Sequence, residues 1–315
     1  MTTKDLSLAP GNKHRRRPFH PPWHVRGDAV LAWALILPCM VVILSVVLVP
    51  TLRTLYLSFF DVSLVKPNEG VFVGLGNYVS LLKERVFWDT IGRTAYFMVV
   101  SVGLELVLGV ALGLLINAHQ PGWRLLRASI IVPWAVPTIV NATMWRWIYN
   151  SDYGALNGLL LQLGLVDRYI PWLTVPWRAM NLVILADMWH IVPFVALVIQ
   201  AALTSIPEEL FEAAAIDGAN SWQRFWRVTL PLLRPAILVV LVIRTVEAFR
   251  VFDVIFVMTR GGPVFGTVTI AFLTYLETFS YMHVGRGAAL SFLVSAFIAV
   301  AAVIYVRLLR SQTLE

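Results

Sequence analysis

Cysteine is nearly absent. The 315 residues hold one, Cys39, inside a long apolar run. No disulfide framework can form, and a lone thiol in such a place is more often packing than chemistry. Lysine is also rare. Lys4, Lys13, Lys66 and Lys83 are the whole set, and none follows a glycine. A loop that cradles phosphates needs Gly-Lys-Ser/Thr, so none is visible. Charge of either sign is scarce, at 14% of residues, where a soluble domain carries about a quarter. What fills the chain instead is apolar: 58% hydrophobic residues and a mean hydropathy of +0.75. That excludes an ordinary soluble domain and points to an integral membrane protein. The net charge of +7 then reports loops on one membrane face rather than a nucleic-acid surface.

Six apolar segments are long enough to cross a ~30 Å hydrocarbon core at ~1.5 Å per residue. They fall at about 28–60, 90–118, 126–149, 179–204, 234–257 and 284–309. The expected fold class is an all-α polytopic membrane protein. With six crossings both termini share a side, and Arg and Lys choose it. The tail, the 119–127 and 205–234 loops and the C-terminus carry 13 of them, the opposite loops 7. The richer side faces the cytoplasm. Residues 1–27, basic and Pro-rich with Pro18, Pro21 and Pro22, read as a disordered cytoplasmic tail or one lying on anionic lipid. Residues 28–311 read as the membrane domain. The apolar run after the tail is too long for a signal peptide, and no cleavage site follows it.

The most specific stretch is 212–235, EAAAIDGANSWQRFWRVTLPLLRP. Glu212, Ala213 and Ala214 are followed by Asp217, Gly218 and Ala219, then Phe225, then Leu230 and Pro231, with Pro235 beyond. This order resembles the EAA signature of permease subunits of bacterial binding-protein-dependent ABC importers. There the segment is the coupling helix that meets the ATPase. Within 205–235, Ser205 with Glu208 reads as a capping box, Gly218 as a left-handed C-cap, and Pro231 and Pro235 as breaks before the fifth crossing. The residue-level alternative is an amphipathic loop on the bilayer, held by Trp222, Trp226 and arginines.

Two further stretches carry the resemblance. Gly74-Leu75-Gly76-Asn77-Tyr78 is similar to a segment of sugar permeases. Residues 252–263, FDVIFVMTRGGP, resemble a stretch of maltose-type permeases, and RTVEAFRVFD before it resembles trehalose- or disaccharide-type ones. The resemblance implies the maltose-type importer fold, in a bacterial inner membrane, with a sugar as cargo. It further implies a second, homologous permease subunit, two ATPase subunits that bind the ATP and Mg, and an external binding protein or lipoprotein. No cofactor is expected in this chain, no nucleic acid as partner, and no catalysis.

Intramembrane charges are costly and usually face a cavity or a partner. In the fifth segment Arg244, Glu247, Arg250 and Asp253 recur every three residues with alternating sign. They read either as a self-neutralising ladder or, with Phe249 and Phe252, as a wall for sugar hydroxyls and ring faces. Asp187 and His190, a turn apart before Pro193, read as a satisfied polar pair or a substrate contact. Two ligands fall short of a metal site. Glu105 and Asn141 are lone polar residues, more often interhelical hydrogen bonds than ligands, though Asn141 is also a candidate for the substrate path. Gly109 and Gly113 form a small-residue face for helix packing. The outer aromatics Tyr149, Tyr153, Trp172 and Trp177 suit an interface belt. Other readings of the whole are a permease for another polar solute such as glycerol-3-phosphate, and a stand-alone secondary transporter or channel. The latter should show inverted repeats, and no matching halves are seen.

Overall fold

The computed structural model describes residues 25–117 and 123–312. Most of the expected tail, and part of the 119–127 loop, lie outside the described residues. The chain divides into two compact units, residues 1–53 and 54–315.

In the first unit, α1 (Val25–Val42) runs through a π-helical stretch, Ile43–Leu48, into α2 (Val49–Leu57), where the division falls. No residue from 30 to 53 is buried, as suits a helix apolar all round. Its two hydroxyls bond back into the helix, Ser45 Oγ to Val41 O at 2.6 Å and Thr51 Oγ1 to Val47 O at 2.7 Å, so neither is left bare in lipid.

The second unit opens with an antiparallel hairpin, β1 (Phe60–Ser63) on β2 (Lys66–Phe72), then α3 (Gly76–Lys83). The Gly74–Tyr78 segment ties them together. Asn77 Nδ2 donates to Ser58 O and to Phe60 O, both at 2.9 Å, and the Tyr78 hydroxyl pairs with Ser58 Oγ at 2.7 Å.

Helix α4 (Arg85–Asn117) has 33 residues, about 50 Å, so it projects past the hydrocarbon core. It packs along α8 (Pro176–Leu203). A Cβ on Gly109 would collide with Val195, and one on Gly113 would sit 2.9 Å from Ile199 and 3.0 Å from Ala196 O. The two glycines therefore set the approach of α4 and α8.

Among the described residues five helices are long and apolar enough to cross a membrane: Val30–Leu57, Arg85–Asn117, Pro176–Leu203, Ser221–Phe249 and Val284–Val303. The expected crossing at 126–149 is not one straight helix. It is α5 (Trp123–Ala135) and α6 (Thr138–Ile148), with the chain bent by 96° between them. Pro137 supplies the reason, since it offers no amide and biases Val136 away from helix.

Helix α7 (Ala155–Gln162) lies in the next loop. The fully buried Asn157 holds that loop, donating to Asn150 O and Ile170 O and accepting from Ile170 N and Trp172 Nε1 at 2.9–3.2 Å. Tyr153 and Trp177 are exposed as a belt requires. Tyr149 is not. It is buried, and its hydroxyl finds no partner among the described residues.

After α8 come α9 (Glu208–Ile216) and α10 (Ser221–Arg224). A π turn, Phe225–Thr229, leads into α11 (Leu230–Phe249). Pro231 and Pro235 do not break the chain here; Ser221–Phe249 runs on as one helix. Pro231 sits where the π turn passes into α11, and the π turn absorbs the change in register. The helix does stop at Arg250, whose φ is −105° and ψ 24°. Helices α12 (Asp253–Met258), α13 (Ile270–Tyr275) and α14 (Val284–Gln312) follow. The core gathers Phe87, Phe97, Val183, Ile184, Ala248 and Ile255.

Candidate functional site

A buried ion cluster lies where α4, α8 and α11 meet. Arg244 is its centre, with a side chain 4% exposed. Its Nε and Nη2 donate to Glu105 Oε2 and Oε1 at 2.7 and 3.0 Å, a bidentate fork. Nη2 also reaches Asp187 Oδ2 at 3.2 Å, and Nη1 reaches Glu247 Oε2 at 2.6 Å. Ser101 Oγ lies 2.6 Å from Glu105 and 3.2 Å from Asp187. Glu105 is wholly buried, and only such saturation makes a buried carboxylate tolerable. It was legible only as a lone acid in an apolar run, because its partner is 139 residues away.

The cluster floors a cavity of about 410 Å³, lined by Asp187, His190, Arg244, Glu247, Arg250 and Asp253. That volume falls in the ~300–1,000 Å³ range of small-molecule sites. Trp134, Phe194 and Phe252 supply its aromatic walls. Trp134 stacks on Phe194 at 5.6 Å between centroids, and Phe252 joins Phe256, Phe272 and Tyr275 at 5.2–5.7 Å. The even ladder expected from the spacing stops halfway. Arg244 and Glu247 pair, but the helix ends before Arg250. The Arg250 and Asp253 side chains find no partner among the described residues and stand exposed on the wall. Asp187 and His190 do not pair either. Asp187 turns to Arg244 and Ser101, and His190 Nδ1 bonds Pro133 O at 2.8 Å, a carbonyl that also accepts from Val136 N at 3.4 Å.

Two of the expected path residues lie elsewhere. Phe249 packs beside Phe297 at 6.2 Å, on an apolar recess with Met98 and Val246. Asn141 is buried, its Nδ2 on Ala186 O at 3.2 Å and its Oδ1 without a partner among the described residues.

The EAA segment forms its own feature. Glu212, Ala213 and Ala214 lie on α9, whose end is a Schellman turn. Gly218 has φ +80°, Gly218 N donates to Ala215 O at 3.0 Å, and Ala219 N to Ala214 O at 2.9 Å. Asp217 is the C-cap residue. Ser205 does not cap the helix. Its Oγ bonds back to Ala201 O at 3.2 Å, and Pro207 stands at the N-cap. The capping box is instead Asn220 with Gln223, at 2.9 and 3.0 Å. Phe225 meets Trp226 edge to face at 5.3 Å between centroids, and Leu230 and Pro231 open α11. No residue from 204 to 220 is buried, and Ile216 is 87% exposed.

Residues 105–313 match the family described as binding-protein-dependent transport system inner membrane component. The chain belongs to this family. Every residue lining the cavity, and the whole EAA segment, falls inside the matched stretch. This inner membrane component is thus a permease subunit of an importer, not an enzyme. It is similar to the trehalose/maltose transport system permease protein MalF of Thermococcus litoralis, at 39% identity over 281 residues, 89% of this chain and 94% of that one. The trehalose transport system permease protein SugA of Mycobacterium tuberculosis is 36% identical over 279 residues, 88% of each. The sulfoquinovosyl glycerol transport system permease protein SmoG of Agrobacterium fabrum is 34% identical over 290 residues, 92% and 94%. Among solved structures, a bacterial ABC transporter involved in the import of the acidic polysaccharide alginate shares the fold. Its TM-score is 0.79 at 22% identity, over 90% of this chain and 96% of that one.

Proposed function

We propose that this permease subunit forms the alternating-access path for a sugar of disaccharide size, handed over by an external binding protein. The observation that carries the reading is the wall of the 410 Å³ cavity. Arg250 and Asp253 present free charged donors and acceptors there, and Trp134, Phe194 and Phe252 present ring faces. Sugars use both, hydroxyls on the first and C–H faces on the second. The sugars printed in the relatives' names support the same class. The exposed α9 turn suits docking to an ATPase, with Glu212 as the charge. Two ATPase subunits, a second permease subunit and cytoplasmic termini complete the assembly, and ATP with Mg is held by the ATPases.

The test is the purified complex in lipid, with binding protein, screened for sugar-stimulated ATP hydrolysis over trehalose, maltose and other disaccharides. Stimulation by at least one is expected. Arg250→Ala and Asp253→Ala should assemble at wild-type levels, because neither removal orphans a buried charge, while uptake falls. Normal uptake in both variants would remove the cavity from the path.

A further inference from the structure

We infer that Glu247 and Asp253 make this path select against anionic sugars, so that its cargo is an uncharged saccharide. The inference rests on the sugar reading above and concerns which sugars pass. Three carboxylates, Asp187, Glu247 and Asp253, line the cavity against two guanidiniums, Arg244 and Arg250. Glu105 lies directly behind Arg244. The wall itself therefore carries a formal excess of one negative charge, and the wall with Glu105 behind it an excess of two. Arg244 has little left to offer a ligand. Its donors are committed to Glu105, Asp187 and Glu247 at 2.6–3.2 Å, and its side chain is 4% exposed. An incoming carboxylate, sulfonate or phosphate would meet one free cation, Arg250. Along the chain that cation falls between Glu247, three residues before it, and Asp253, three residues after, and all three are exposed and line the same cavity. In a cavity walled by protein like charges repel more than in bulk water. Neutral hydroxyls meet no such penalty, and they can donate to both carboxylates and accept from Arg250.

The test uses the complete complex in nanodiscs without binding protein, so that the permease alone chooses. Radiolabelled trehalose is displaced by unlabelled trehalose, or by a disaccharide of the same size with one glucuronic acid unit. The wild-type complex should hold the acid at least about tenfold more weakly. In Glu247→Gln/Asp253→Asn that ratio should shrink to within about threefold. Because Glu247→Gln also loosens Arg244, Asp253→Asn alone is measured too, and should shrink the ratio partway. Equal binding of the two sugars by the wild type, or a ratio unmoved in both variants, overturns the inference and leaves the sugar reading standing. No binding of either sugar overturns both.

Discussion

At the scale of the residue, one guanidinium decides whether the membrane domain holds. Three carboxylates converge on Arg244. Arg244→Met should cost more stability than Glu105→Gln, because the first orphans several acids and the second only part of one fork. Removing one partner of a buried pair costs roughly 3–5 kcal/mol. Thermal unfolding of the solubilised protein, followed by size-exclusion chromatography, should rank Arg244→Met below Glu105→Gln and both below wild type. The reverse order would show that the cluster is not centred on the arginine. The sequence displayed each of these residues without their meeting. Spacing of three suggests neighbours along one helix, and Arg244 with Glu247 obeys it. Glu105 and Asp187 sit on other helices, and no local pattern brings them there. Phe249 misleads for the opposite reason. It shares the motif with Phe252, but the helix end at Arg250 sends the two rings to different cavities.

At the scale of the element, the turn after α9 depends on backbone shape. Gly218 at φ +80° is a conformation that costs other residues about 1–2 kcal/mol. A Cβ there would meet nothing within 4 Å, so Gly218→Leu strains the turn without a clash. The variant should insert normally yet fail to co-purify the ATPase, and Glu212→Arg should do the same through charge. Full recovery of the ATPase with both variants would end the docking assignment. This element was the most legible part of the chain, since its glycine, alanines and order are local. Its first cap was not. Ser205 is still bonded into the end of α8, so the helix starts uncapped and the capping box appears at Asn220. The bends were harder again. Pro133 and Pro137 stand four apart, and Pro231 and Pro235 do too, yet only the first pair surrounds a 96° turn. The second is carried through by a π turn that no residue announces.

At the scale of the whole molecule, five helices long and apolar enough to cross, with the bent pair counted as a sixth, lead us to expect residue 65 and residue 221 on opposite faces. In a Cys39→Ser background, Val65→Cys should react with an impermeant maleimide on intact cells, and Ser221→Cys only after permeabilisation. Labelling of Ser221→Cys from outside would invert the topology and detach the EAA segment from any ATPase. The native thiol has a use of its own. Cys39 is exposed and belongs to the unit before residue 53, and it is the single cysteine of the chain. A nitroxide placed there needs no background mutagenesis. One added cysteine in the second unit then makes a spin pair. Dipolar spectroscopy on that pair would read the separation of the two units directly, with and without nucleotide, as a ruler already half installed in the wild-type protein.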